Sequence, residues 1–244
     1  MASHEYQMTV FSPEGKLHQI EYAFKAIKSS GLTSIAIRGA ECVVAVTEKR
    51  VADRMMDPST ITNLHMIIPS IGCLVTGRET DGRSWINRMR QEAFEYLQDN
   101  GVHVTSDVLA MRGADLAQLY TQKSSMRAYA CEMMLFSYDN LYGPLLYKLD
   151  PAGHYLGYHA VTSGVKEQDA IGHLEKEWKN KGSFSRLNND DTIRLAIECL
   201  QKTIGQDFKP TDIEVGYVDK TSKTFKKLTV AEIDAHLQVI QRFD

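Results

Sequence analysis

Runs of strand-forming residues come first in this chain, helical stripes follow in pairs, and the whole order then repeats. That order constrains the fold most, because a parallel doubly wound sheet needs strict β-α alternation. Thr33 to Arg38 and Cys42 to Thr47 are β-rich and joined by Gly39-Ala40-Glu41, a hairpin pattern. Ile71 to Gly77 is a further strand, paired with His65 to Ile68 across Pro69-Ser70. Trp85, Ile86, Met89, Ala93, Tyr96 and Leu97 then line one helix face, which stops at Asn100-Gly101. Thr105-Ser106-Asp107 opens a second helix with Leu109, Leu116, Leu119 and Tyr120 as its stripe.

In the second round, Ala130 to Tyr138 and Leu145 to Leu149 flank a turn, and Tyr155 to Thr162 continues the sheet. Helices follow over 168–178 and 190–204, the latter striped by Ile193, Ala196, Ile197, Leu200 and Ile204. Ile213 to Val218 and Thr224 to Leu228 form a hairpin, and the capping box Thr229-x-x-Glu232 starts a terminal helix carrying Ile233, Leu237 and Ile240. Two antiparallel sheets, each covered by a helix pair, satisfy this pattern: an α+β fold, a four-layer α-β-β-α sandwich. No Gly-, Pro- or Ser-rich linker divides it, so residues 12–244 read as one domain behind an extended arm, residues 1–11.

One helix precedes every strand. Ser12-Pro13-Glu14 reads as an N-cap, a proline at the first helical position and an acid in the first turn. Leu17, Ile20, Phe24 and Ile27 form its apolar stripe, and Gly31 ends it, giving a helix over 12–30. So short a helix needs a surface to dock on.

Composition narrows the function classes. The 244 residues carry a net charge of −3 with 43% hydrophobic and 24% charged residues, which suits a packed globular chain and gives no basic excess for nucleic acid. Cys42, Cys73, Cys131 and Cys199 show no clustered spacing and read as buried thiols in a reducing compartment. The first residues lack the charged and apolar regions of a signal peptide. Pro58 to Gly77 is free of Asp, Glu, Lys and Arg but holds two prolines and several Ser and Thr, so it does not read as a membrane span. The expectation is cytoplasm and nucleus, with no membrane and no nucleic acid as partners.

Chemistry is hard to find from the residues alone. Gly77-Arg78-Glu79-Thr80-Asp81-Gly82-Arg83-Ser84 follows a strand and precedes a helix, as a phosphate-binding loop does. Arg83, however, replaces the lysine, and a carboxylate about 4 Å from a phosphate costs about 4 kcal/mol at an effective dielectric near 20. His154 and His159, five apart on the expected strand, fall on opposite faces, so no metal site is expected. No GxSxG occurs, and Asp190-Asp191 reads as helix capping. Lys25, Lys28, Lys179 and Lys181 read as solvated helix faces. No catalytic residue, metal or cofactor is expected on these grounds.

The stretch Met8-Thr9-Val10-Phe11-Ser12-Pro13-Glu14-Gly15-Lys16-Leu17-His18-Gln19-Ile20-Glu21-Tyr22-Ala23 resembles the N-terminal signature of α-type subunits of the 20S proteasome. The resemblance continues through Gly31-Leu32-Thr33-Ser34, Tyr120-Thr121-Gln122, Asp150-Pro151-Ala152-Gly153, Ser163-Gly164-Val165-Lys166 and Glu214-Val215-Gly216. Within that family, the stretches 22–27, 207–210 and 232–237 look most like the iota-type subunit, α ring position one.

The resemblance implies the N-terminal-nucleophile hydrolase sandwich with an extra N-terminal helix across its open end. It implies a place in the outer seven-membered ring, with other α and β subunits, regulatory particles (an ATPase cap or other activators) and unfolded polypeptide in transit as partners. It also implies no catalysis. The catalytic β subunits use a freed N-terminal threonine whose α-amino group is the base, and the nearest candidate, Thr33, lies behind a helix and after Leu32. Their supporting acid falls at Thr47, and their lysine at Asn63 or Leu64.

A Tyr-Asp-Pro-Tyr cluster of the family holds the pore arms open. Here Pro13 and Tyr22 match it, while His4-Glu5-Tyr6 replaces the Tyr-Asp pair. The pocket for activator tails falls at Gly31 and Gly77, with Asn63 in place of its lysine, so no cation is expected to meet a tail carboxylate there. Arg127-Ala128 replaces the family's Arg-Pro. Two other readings remain open: a threonine hydrolase processed at Thr33, and a nucleotide binder using residues 77–84.

Overall fold

The computed structural model describes residues 10–243, so His4, Glu5 and Tyr6 of the expected gate lie outside the described residues. In chain order, the elements are α1 (His18–Ser29), β1 (Thr33–Arg38), β2 (Cys42–Glu48), β3 (Leu64–Ile68), β4 (Ile71–Gly77), α2 (Glu79–Asn100) and α3 (Ser106–Gln122). The second round is β5 (Cys131–Asp139), β6 (Gly143–Leu149), β7 (Tyr155–Gly157), β8 (Ala160–Gly164), α4 (Glu167–Lys181), α5 (Asn189–Ile204), β9 (Ile213–Asp219), β10 (Lys226–Lys227) and α6 (Val230–Phe243).

Two five-stranded sheets result, ordered β10-β9-β2-β1-β8 and β3-β4-β5-β6-β7, with every pairing antiparallel. Alternation along each strand builds the layers. Ile35, Ile37, Val44 and Val46 pack under α4, α5 and α6, while Cys73, Val75, Met133 and Leu135 pack under α2 and α3. The intervening positions Ala36, Val43, Ala45, Leu74, Met134 and Phe136 meet between the sheets. All seven residues of β2 are buried because both of its faces are covered, which is why its sequence is apolar without alternation from Cys42 to Val46. Gly72 belongs to this middle layer: a Cβ there would lie 2.5 Å from Phe225 and 2.6 Å from Phe136.

The sandwich is therefore as expected, with five differences in detail. The first helix begins at His18 rather than residue 12, because Ser12 to Lys16 close a turn of their own. Ser12 N–H donates to the Lys16 carbonyl, Gly15 N–H donates to the Ser12 carbonyl, and Gly15 takes a φ of 76°. Residues 155–162 are not one strand: β7 pairs with β6 in one sheet, the chain crosses at Tyr158-His159, and β8 pairs with β1 in the other. His154 precedes β7 rather than lying on a strand. Leu119 of the expected α3 stripe is exposed, since α3 packs through Leu109, Ala110, Gly113, Ala114 and Ala117. The α5 cap is Asn188, whose side chain accepts the Asp191 N–H at 2.8 Å, with Asp190 and Asp191 in the first turn.

Candidate functional site at the helix-capped end of the sandwich

At one end of the middle layer the apolar alternation turns polar. Ser34, Thr47, Thr76, Glu132 and Ser163 are all buried there, on the strand positions that continue the inter-sheet face. The Thr76 hydroxyl lies 2.7 Å from Ser34 Oγ, which lies 2.8 Å from Thr47 Oγ1, so the sheets are joined by hydroxyls. Ser163 donates to Glu132. Lys148 stands 3.0 Å from Glu132 and 2.6 Å from Glu167, and also donates to the Thr162 carbonyl. Burial alone would lower the Lys148 ammonium, but Glu132 and Glu167 overcome it and raise its pKa. Burial pushes Glu132 up against the pull of Lys148. Lys148 is therefore a held cation, unsuited to the role of a general base.

The helix α1 packs over this end, against β4, β5 and β8, burying Ala23 and Ile27. Close backbone approach makes the seal possible. Gly164, at φ 110°, leaves no room for a Cβ, which would lie 2.0 Å from the Leu32 carbonyl oxygen. Gly77, at φ 130°, faces the Ala130 carbonyl in the same way at 2.5 Å. Thr33 is fully buried behind this helix, and its backbone N–H donates to Glu48 Oε2 at 2.8 Å. A peptide nitrogen that donates in this way has no lone pair to serve as a base.

The expected site residues fall around the same end. Gly31 follows α1, with the Arg50 Nη1 atom 3.1 Å from where its Cβ would be; Arg50 itself pairs with Glu48 at 3.0 Å. Asn63 sits beside β4, its carbonyl accepting the Val75 N–H, which places it two ladder positions from Gly77. Its own N–H donates to Glu214 Oε2. The structure thus brings Gly31, Asn63 and Gly77 to one end of the sandwich. Pro13 and Tyr22 are exposed, and Tyr22 stacks on His18 with ring centroids 6.2 Å apart.

The 77–84 turn is structural. Asp81 is buried and accepts Arg127 Nη1 and Nη2 at 2.6 and 2.7 Å and the Ala130 N–H at 2.8 Å, so a carboxylate occupies the place a phosphate would need. Glu79 pairs with Arg83. A Cβ on Gly82 would lie 2.6 Å from Val75, so this glycine serves packing. Among the described residues no group of His, Cys, Asp and Glu is arranged to hold a metal ion, and no helix is long and apolar enough to cross a membrane.

The family model for the N-terminal signature of A-type proteasome subunits matches residues 4–26, and the model described as "Proteasome subunit" matches residues 28–218. The chain belongs to the α-type proteasome subunits. It is 43% identical to the Schizosaccharomyces pombe "Probable proteasome subunit alpha type-1", over 97% of this chain and 96% of that protein. It is 40% identical to the Caenorhabditis elegans "Proteasome subunit alpha type-6", over 100% and 98% of the two chains. A "Proteasome subunit alpha" of Saccharolobus islandicus is 34% identical over 95% and 94%. As an α-type subunit, the chain is of the non-catalytic class of the 20S core, and the N-terminal signature covers the turn at 12–16 and most of α1, the helix that packs over the polar end.

Sequence reasoning misses the polar layer, although its signal is available. Ser34, Thr76, Glu132, Lys148 and Ser163 all continue, two residues on, an inward-facing alternation in their own strands.

Proposed function

We propose that this chain is a scaffold and gate subunit in the outer seven-membered ring of the 20S core, and that it has no peptidase activity of its own. It guards entry of unfolded polypeptide and docks regulatory particles, in both ubiquitin-dependent and ubiquitin-independent degradation. One observation carries this reading: α1 lies across the end where a hydrolase of this fold needs an opening, with Thr33 buried and amide-bonded behind it. The exposed Val10, Phe11 and Tyr22 supply apolar surface beside that helix for neighbouring subunits. Obligate contacts of this kind typically bury about 2,000 Å² or more.

Pro13, Tyr22 and the His4-Glu5-Tyr6 stretch are assigned to the gate, and Gly31, Asn63 and Gly77 to the activator-tail pocket. The iota-type position in the ring, and residence in cytoplasm and nucleus, follow from the same resemblance. At the pocket, Asn63 supplies no charge and the cation nearest Gly31, Arg50, is already paired with Glu48, which supports weak binding of a tail carboxylate.

Native mass spectrometry of the endogenously tagged chain, purified in gentle salt, tests the reading. The expected result is a four-ring particle of many different subunits whose copy of this chain retains sequence N-terminal to Thr33. Thr33→Ala should leave every peptidase activity of that particle unchanged, and deleting residues 1–11 should raise hydrolysis of small peptides. A small homo-oligomer, or a chain trimmed to Thr33, overturns the assignment.

A further inference from the structure

Beside Asn63, a cavity of about 300 Å³ opens between the start of β9, the strand β10 and the first turn of α6. Its walls are apolar, from Pro58, Pro210, Leu228, Val230 and Ile233, and its polar lining includes Lys49, Lys227 and Glu214. We propose that this cavity binds a small aliphatic carboxylate, with Lys227 as the cation that receives it.

Positive charge is in excess here. Lys49 stands 3.4 Å from Glu214 Oε1, and both side chains are largely buried. The second oxygen, Glu214 Oε2, is taken by the Thr62 hydroxyl at 3.0 Å and the Asn63 N–H at 3.1 Å. Lys227 reaches only that same hydroxyl, its Nζ lying 2.6 Å from Thr62 Oγ1. Two ammonium groups therefore share one carboxylate, and Lys227 touches it through an intermediary.

The other nearby acids lie outside the cavity lining and make local hydrogen bonds. Asp57 accepts the Ser59 N–H, Asp212 accepts the Lys209 N–H, and Glu232 accepts the Thr229 N–H. Arg90 adds a further positive charge nearby but donates to the Met66 carbonyl. Burial, together with Lys227 and Arg90, holds His65 below the ordinary imidazole range, so it brings no negative charge either. Burial, with Lys49, lowers Lys227 despite Glu214.

A carboxylate with an apolar body matches both halves of the cavity: its oxygens meet Lys227 and its chain meets Val230 and Ile233. The volume lies at the small end of ligand pockets and suits an acid of about four to six carbons. Such a group exists as a free acid or as the apolar C-terminal residue of another chain. The cavity adjoins the tail pocket assigned to Asn63, because Glu214 accepts the Asn63 N–H and the Thr62 hydroxyl that Lys227 reaches, but binding of a small acid here is read without reference to the gate.

Equilibrium dialysis of labelled pentanoate against the full chain tests it. One saturable site is expected, weakened at least about tenfold by Lys227→Gln and kept within about threefold by Lys227→Arg, since a charge-assisted bond contributes about 1.5–3 kcal/mol. Pentanamide should fail to compete. Val230→Phe, which fills the cavity mouth, should abolish binding by a route independent of charge. N-acetylleucine competing better than unlabelled pentanoate would identify a chain terminus as the natural occupant, and the reverse order a free acid; both support the site. Absence of saturable binding, equal competition by pentanamide, or unchanged binding in Lys227→Gln with an unaltered melting profile overturns it.

Discussion

Arg127 holds Asp81 through two parallel hydrogen bonds, Nη1 to Oδ2 at 2.6 Å and Nη2 to Oδ1 at 2.7 Å, and so ties the first turn of α2 to the entry of β5. Asp81 is buried while the Arg127 side chain is 58% exposed, so solvent screens one side of the pair. Asp81→Asn should cost about 2 kcal/mol in urea unfolding at pH 7. Burial would raise this carboxyl, but Arg127 and the Ala130 N–H overcome it and lower its pKa. A group depressed in the folded state stabilises above its unfolded pKa, near 3.9, and the contribution is lost as pH falls through the lower folded value. The gap between wild type and Asp81→Asn should therefore close below about pH 4.

Lys148 bridges Glu132 and Glu167 with only 13% of its own side chain exposed. Lys148→Met leaves two carboxylates without their cation and should destabilise by about 3–5 kcal/mol at pH 7. The loss should be smaller in a mildly acidic buffer than at pH 7, because Glu132, already raised by burial, takes up a proton as pH falls. Urea midpoints at the two pH values check both statements.

Two glycines separate packing from propensity. Gly164→Ala forces a side chain into a left-handed position against the Leu32 carbonyl and should cost more than about 2 kcal/mol. Gly172 lies inside α4 with open space where its Cβ would be, so Gly172→Ala should stabilise by about 0.5–1 kcal/mol. Thermal melts of the two variants decide the matter.

All four cysteines are free and buried. Burial pushes Cys42 up to about 11 and Cys73 and Cys199 up to about 12, and raises Cys131 as well. Iodoacetamide near neutral pH should label none of them in the folded chain and all four in denaturant, read by intact mass.

Asn63→Lys places an ammonium beside Gly77 and near Glu214. An activator-tail peptide with a free carboxylate should bind this variant more tightly than wild type in a fluorescence titration. No gain in affinity would remove Asn63 from the pocket.

Most of the layer order was legible because local signals agreed with it. The hairpin at Gly39, the stop at Asn100-Gly101 and the capping box at Thr229 each rest on residues within a few positions of one another. The departures share a cause. Ser12-Pro13-Glu14 carries a sound helix-start pattern, yet Gly15 and the Lys16 carbonyl close a turn first. Residues 155–162 carry one extended run, and only the position of the two sheets decides that it must change partners at Tyr158-His159.

Periodicity, caps and signature are properties of neighbouring residues, so most of the secondary elements, the four-layer class and, through the stretch at 8–23, the family were settled in the chain before it folded. What lies between the sheets, and what meets across them, came only with tertiary packing. Ser34 to Thr76 spans 42 residues, Asp81 to Arg127 spans 46 and Thr62 to Lys227 spans 165, and no local pattern specifies such partners. They are chosen by which buried polar groups can satisfy one another once the sheets have closed.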